Sequence, residues 1–114
     1  MTSDDLEKYF RQTGYTVELL SAPNGEVYTG IRDVEVPAGP HAGRICDVAI
    51  LRCTSTPYAM PAAIHTKPVL YPKGTRAIQD SNLGPDWAYW SRRFDRPPTP
   101  KTIATHIMTI LSEA

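Results

Sequence analysis

The sequence predicts an α+β domain, and three observations carry that reading. Short runs of β-branched and apolar residues, broken by turn-forming clusters, occupy the middle of the chain. A helix-period stripe stands near each end: Leu6, Tyr9 and Phe10 in the first, and Ile103, Ile107, Ile110 and Leu111 in the last. Eleven prolines and seven glycines leave little room for long helices between them. Strands grouped between two helices, rather than alternating with helices, give an α+β plan.

Each element has its own signal. Ser3 or Asp4 can cap the first helix, and Asp5 and Glu7 complement the positive end of its dipole. Gly14 stands where a left-handed residue would stop it. Tyr15 to Leu20 reads as a strand, Pro23-Asn24-Gly25 as a tight turn, and Glu26 to Val36 as a second strand with Gly30 a candidate bulge. The loop Pro37 to Gly43 leads into a third strand, Arg44 to Cys53, apolar on both faces and therefore central. Pro57 to Ala63 is a turn-rich crossing, and Ile64 to Tyr71 a fourth, edge-like strand in which Pro68 keeps away from the middle of a sheet. No period persists from Pro72 to Pro98, which predicts an irregular aromatic loop, functional or holding short helices. Thr99 caps the last helix and Pro100 fits its first position.

Composition narrows the function classes. A chain of 114 residues encloses one core, so residues 1–114 are read as a single domain. With 41% hydrophobic and 21% charged residues it folds rather than remaining disordered. Twelve basic and twelve acidic residues cancel, which argues against nucleic acid or an anionic membrane as partner. No apolar run approaches the roughly 20 residues that cross a bilayer, and the acidic start lacks a secretory pattern. The expectation is a cytoplasmic protein with reduced thiols. Cys46 and Cys53, seven apart in one predicted strand, would stand about 23 Å apart, too far for a disulfide. No histidine beside them completes a zinc site, so both are read as inert strand residues, with no metal and no cofactor. His41 is read as solvated, His106 as a surface residue, and His65 as a candidate general base.

Two stretches carry a family resemblance. Asp47-Val48-Ala49-Ile50-Leu51-Arg52, leading to Tyr58-Ala59-Met60-Pro61-Ala62-Ala63, resembles the strand and proline turn of the ubiquitin-conjugating fold. Trp87-Ala88-Tyr89-Trp90-Ser91-Arg92-Arg93-Phe94 is similar to the Trp, Arg, Trp-Ser-Arg-His signature of its bacterial branch, prokaryotic E2 family E. The order of elements matches over nearly the whole chain. Ala59 and Ala62 replace expected prolines, and Arg93 an expected histidine. The resemblance implies an N-terminal helix, a four-stranded antiparallel meander, an active-site loop and a C-terminal helix. It also implies a role in bacterial ubiquitin-like conjugation, of the kind found in antiviral defence, with an adenylating enzyme and a ubiquitin-like protein as partners.

The catalytic cysteine of that family is missing, since no cysteine follows residue 53. Between Pro72 and Asp86 only Ser81, Thr75, Lys73 and carboxylates such as Asp80 are polar candidates. A thiolate both attacks and leaves far better than an alkoxide. The expectation is therefore a non-catalytic partner or scaffold, with an enzyme using a non-cysteine residue, or an interaction module unconnected with ubiquitin, as rivals. Trp87, Trp90, Ser91 and Arg92 are the candidate partner-binding residues of the aromatic segment, the tryptophans serving equally as core. Ser91 is read as a turn or cap residue, and Arg92 either pairs within the fold or binds a carboxylate. The family's use of its first helix adds Glu7, Lys8 and Arg11 as exposed candidates.

Overall fold

The first helix is capped by Thr2, one residue earlier than Ser3. The Thr2 hydroxyl accepts the Asp5 N–H at 3.2 Å and the Asp5 carboxylate accepts the Thr2 N–H at 2.9 Å. Thr99 and Thr102 repeat this reciprocal cap at the last helix, with Pro100 at its first position. The computed structural model describes residues 1–114. In chain order the elements are α1 Ser3–Gln12, β1 Val17–Ser21, β2 Val27–Glu35, β3 Ile45–Leu51, β4 Ala63–Lys67, β5 Ile78–Ser81, β6 Gly84–Ser91 and α2 Pro100–Leu111.

All six strands form one antiparallel sheet in the order β1-β2-β3-β4-β6-β5. The fold is α+β, but the expected four-stranded meander is too small. The stretch expected to be an irregular aromatic loop contributes β5 and β6, and β6 pairs with β4. Two features hid that hairpin. The turn Asn82-Leu83 is followed by Gly84-Pro85, and one step along β5, from Asp80 to Ser81, answers to four along β6, from Ala88 to Gly84. The alternation of Trp87, Ala88, Tyr89 and Trp90 is therefore short and starts beyond a bulge. β4 is not an edge; it ends at Lys67, ahead of Pro68.

Both helices cover the same face of the sheet. Leu6 and Phe10 of α1, and Ile103, Ile107, Ile110 and Leu111 of α2, share a core with Ile31, Val48, Ile50, Ile64, Ile78 and Trp90. Burying one such side chain stabilises the fold by roughly 1.5–3 kcal/mol before the cost of ordering it. A bulge in β2 keeps that face apolar, but it sits between Ile31 and Val34 rather than at Gly30. Asp33 takes φ 54° there, its N–H bonded to the Asp47 carboxylate at 3.0 Å. The extra residue returns Val34 and Val36 to the core side, where both are buried.

The other face is closed by the chain itself. Strands β2 and β6 are separated by β3 and β4, which in a flat sheet would set them about 14 Å apart. Yet Asn82, in the turn between β5 and β6, donates to Glu26, beside the start of β2, at 3.1 Å. The sheet curls so that the two hairpin turns meet. Under the curl Ala22, Tyr28, Ala49 and Trp87 form a second small core.

Candidate functional site

The meeting of the two turns leaves a cleft of about 350 Å³, lined by Glu26, Tyr28, His65, Asp80, Asn82 and Tyr89, among others. Its residues come from strands far apart in sequence. Asn24-Gly25 turns the chain so that the Asn24 side chain grips Glu26, donating to Oε1 at 2.7 Å and accepting the Glu26 N–H at 3.1 Å. Tyr28 donates its hydroxyl to the same Oε1 at 3.1 Å, and Asn82 completes a third bond to it. These donors, Asn24 foremost, hold the Glu26 carboxyl below its ordinary range.

His65 lies deeper in the cleft. Position 65 alternates away from Ile64 and Thr66, which face the helices, so its ring points to the curled side. It is 4% exposed and stands edge-on to two rings, Tyr28 at 4.9 Å and Tyr89 at 5.3 Å. Nδ1 lies 2.7 Å from Ser81 Oγ, which also accepts the Leu83 N–H at 3.0 Å. Nε2 makes no hydrogen bond within the chain, and the residue lines the cleft. Burial pushes the imidazole down to about 4, the nearby Glu26 charge opposing the shift only in part.

Ser81 beside His65 has the outline of a nucleophile and its base, but the chemistry is weak. An imidazole that stays neutral to about 4 is a poor proton acceptor at neutral pH. No carboxylate is bonded to its second nitrogen to orient it, as a triad requires. The other polar candidates of this segment are engaged in structure: Thr75 donates to the Pro72 carbonyl, and Lys73 pairs with Asp80 at 3.2 Å and donates to the Pro85 carbonyl. No group of three or more His, Cys, Asp and Glu side chains is arranged to hold a metal ion. The cleft can bind; its groups are poorly suited to covalent catalysis.

The residues expected to bind partners fall in separate places. Trp90 is fully buried on the helix side, its Nε1 donating to Thr66 Oγ1 at 2.9 Å. Trp87, three positions earlier, is buried on the opposite face in the second core. Ser91 is exposed at the end of β6, its N–H bonded to the Ala77 carbonyl; it is a strand residue, not a turn or cap. Arg92 is engaged within the fold with Glu113. On α1, Lys8 and Arg11 are exposed, but Glu7 is a correction. At 4% exposure it is buried, bonded to the Thr29 hydroxyl and ion-paired with Arg52 at 2.9 Å. A carboxylate so enclosed is held by its partners and is not a contact for another protein.

The histidines and thiols also differ from expectation. His41 packs edge-on against Tyr71 at 4.5 Å and His106 against Phe94 at 5.0 Å, neither freely solvated. Cys46 is buried in β3, and burial raises its thiol to about 11. Cys53 lies past the end of β3, half-buried in a loop. Its sulfur faces Ser55 Oγ at 3.0 Å and accepts the Ala59 N–H at 3.4 Å, contacts that lower its pKa, with Ser55 contributing most. No family model matches the sequence, and no curated protein or solved structure is significantly similar to it.

Proposed function

We propose that the chain is a ubiquitin-conjugating-like component of a bacterial ubiquitin-like conjugation system of the antiviral-defence type. In this reading it lacks the transfer step and serves as partner or scaffold of a ubiquitin-activating-type adenylating enzyme. One observation carries it. The chain runs helix, antiparallel sheet, helix, and no cysteine follows residue 53, while the polar candidates Lys73, Thr75, Asp80 and Ser81 are engaged in and just before the β5–β6 hairpin. A conjugating enzyme needs a free nucleophile in that stretch. The hydroxyl of Ser81 favours an oxyester-forming enzyme as second reading, and the low basicity of His65 counts against it.

Lys8 and Arg11, exposed on α1, are the contacts through which this partner would be met. Coexpression with an adenylating enzyme and its ubiquitin-like protein tests the reading. The expected result is coelution at micromolar concentration, through an interface of about 1,600 Å² in total, lost in Lys8→Glu/Arg11→Glu. No adduct on this chain is expected under conditions that charge the adenylating enzyme. Separate elution of the proteins, or an adduct at Ser81, would overturn it.

A further inference from the structure

The cleft where the two hairpin turns meet has a composition that closing the fold does not require. Two carboxylates line it: Asp80 is paired with Lys73 at 3.2 Å, whereas Glu26 has no cation beside it. Glu26 Oε1 already takes three donors, whereas Oε2 takes none, so this carboxylate is held in one orientation with an acceptor to spare. Independently, His65, 4% exposed, lines the same space and makes its one hydrogen bond through Nδ1, leaving Nε2 without a partner in the chain. Tyr28 and Tyr89 flank that ring and supply aromatic wall on either side.

We infer that this cleft receives one arginine side chain of a partner protein, its guanidinium donating to Glu26 Oε2 and His65 Nε2 and lying against a tyrosine ring. A carboxylate with no cation of its own, Glu26, selects a positive group. The planar guanidinium, with five donors, serves two separate acceptors and stacks on an aromatic face, which a lysine ammonium does less well. A free amino acid brings its own carboxylate, which Glu26 and Asp80 repel. A flexible polyamine offers no flat face to the tyrosines. The cleft volume, about 350 Å³, suits one side chain rather than a folded element.

His65 fits this occupant. To accept at Nε2 it must carry its proton on Nδ1, where Ser81 Oγ, 2.7 Å away, is placed to accept it. The titratable groups that line the cleft around it are Glu26, Tyr28, Tyr89 and Asp80, the last paired with Lys73. The inference adds a contact to the partner-binding reading and rests on it only for the claim that a protein carries the cation.

The test is an NMR titration of the intact chain with the tripeptide acetyl-Gly-Arg-Gly-amide. Saturable shifts are expected at Tyr28, His65 and Tyr89, together with ring nitrogen shifts of the Nδ1–H tautomer at His65. The same peptide with citrulline, neutral but of similar shape, should not saturate. Glu26→Gln should weaken the arginine peptide at least fivefold while the amide spectrum stays folded, and Tyr89→Leu gives a second variant should the first lose its fold. No saturable shift with the arginine peptide, equal binding of the citrulline peptide, or tighter binding of spermidine or free arginine would each overturn the assignment. None of these results bears on coelution with an adenylating enzyme, so failure here is distinct from failure of that reading.

Discussion

Arg92 forks the carboxylate of Glu113, its Nε and Nη2 each donating at 2.8 Å. Its remaining Nη1 donates to the carbonyls of Arg76 at 2.8 Å and Ser91 at 2.7 Å. One guanidinium thus ties the end of β6, the turn before β5 and the segment after α2. Arg92→Ala removes a bidentate pair and leaves two carbonyls without their donor. The expected loss is about 1–3 kcal/mol. Arg92→Lys should recover less than half of it, because an ammonium cannot fork. Urea unfolding of the two variants checks this; wild-type midpoints in both would show the fork to be dispensable.

Trp90 fills the centre of the larger core and bonds a buried hydroxyl. Truncation to alanine should cost about 3–5 kcal/mol, a large part of the stability of a domain this size. Trp90→Phe keeps most of the volume but orphans Thr66 Oγ1, which predicts about 1–3 kcal/mol. Adding Thr66→Val to Trp90→Phe should return part of that loss. A double-mutant cycle by thermal melting measures the coupling, and strict additivity would show that the hydrogen bond contributes nothing.

The stability of the fold should depend on pH through His65. In the folded chain the imidazole takes a proton only near 4, against an ordinary 6.5 in the unfolded chain. Between those values the unfolded chain binds more protons. Stability from this group is therefore fully present above 6.5 and declines as pH falls toward 4. The size is about 3 kcal/mol. His65→Gln should be flatter across this window than wild type when denaturant midpoints are compared from pH 7.5 to 4. Equal slopes would mean that the ring is protonated normally.

The two cysteines should react unequally. Cys46 is buried with its thiol raised to about 11, whereas Cys53 is half-buried with its thiol lowered by Ser55 and the Ala59 N–H. An aromatic disulfide reagent should label one thiol per native chain quickly and the second only on unfolding. Mass spectrometry should place the fast label on Cys53. Fast labelling at Cys46 would mean that the larger core opens readily.

The parts of the fold written in local pattern were legible. Capping threonine, apolar stripe and Pro100 announce α2, and Asn24-Gly25 announces the first hairpin. The β5–β6 hairpin escaped because Gly84, Pro85 and the bulge interrupt its alternation, leaving four aromatic-rich residues that also suit a loop. Glu7 was misplaced by its charge, although the spacing of Ser3, Leu6, Glu7 and Phe10 sets it on the buried stripe. The cleft was the least legible part. Its wall depends on Asn82 reaching Glu26 across the curl of the sheet, a contact between residues that no local period relates. His65 stood out beforehand as a possible base, and Asp80 and Ser81 as polar candidates of a loop, but nothing in the sequence brought the three together.

The sharing of one core by α1 and α2 sets the order in which the chain can become safe during synthesis. When β6 has emerged from the ribosome but α2 has not, the sheet is complete while Ile64, Ile78 and Trp90 lack half of their roof. Helix α1 is already in place at one side, and no local contact can substitute for the other. A nascent chain halted in that interval presents a broad apolar sheet to its neighbours. That is the point at which a chaperone would engage it, and at which overexpression would drive it to aggregate.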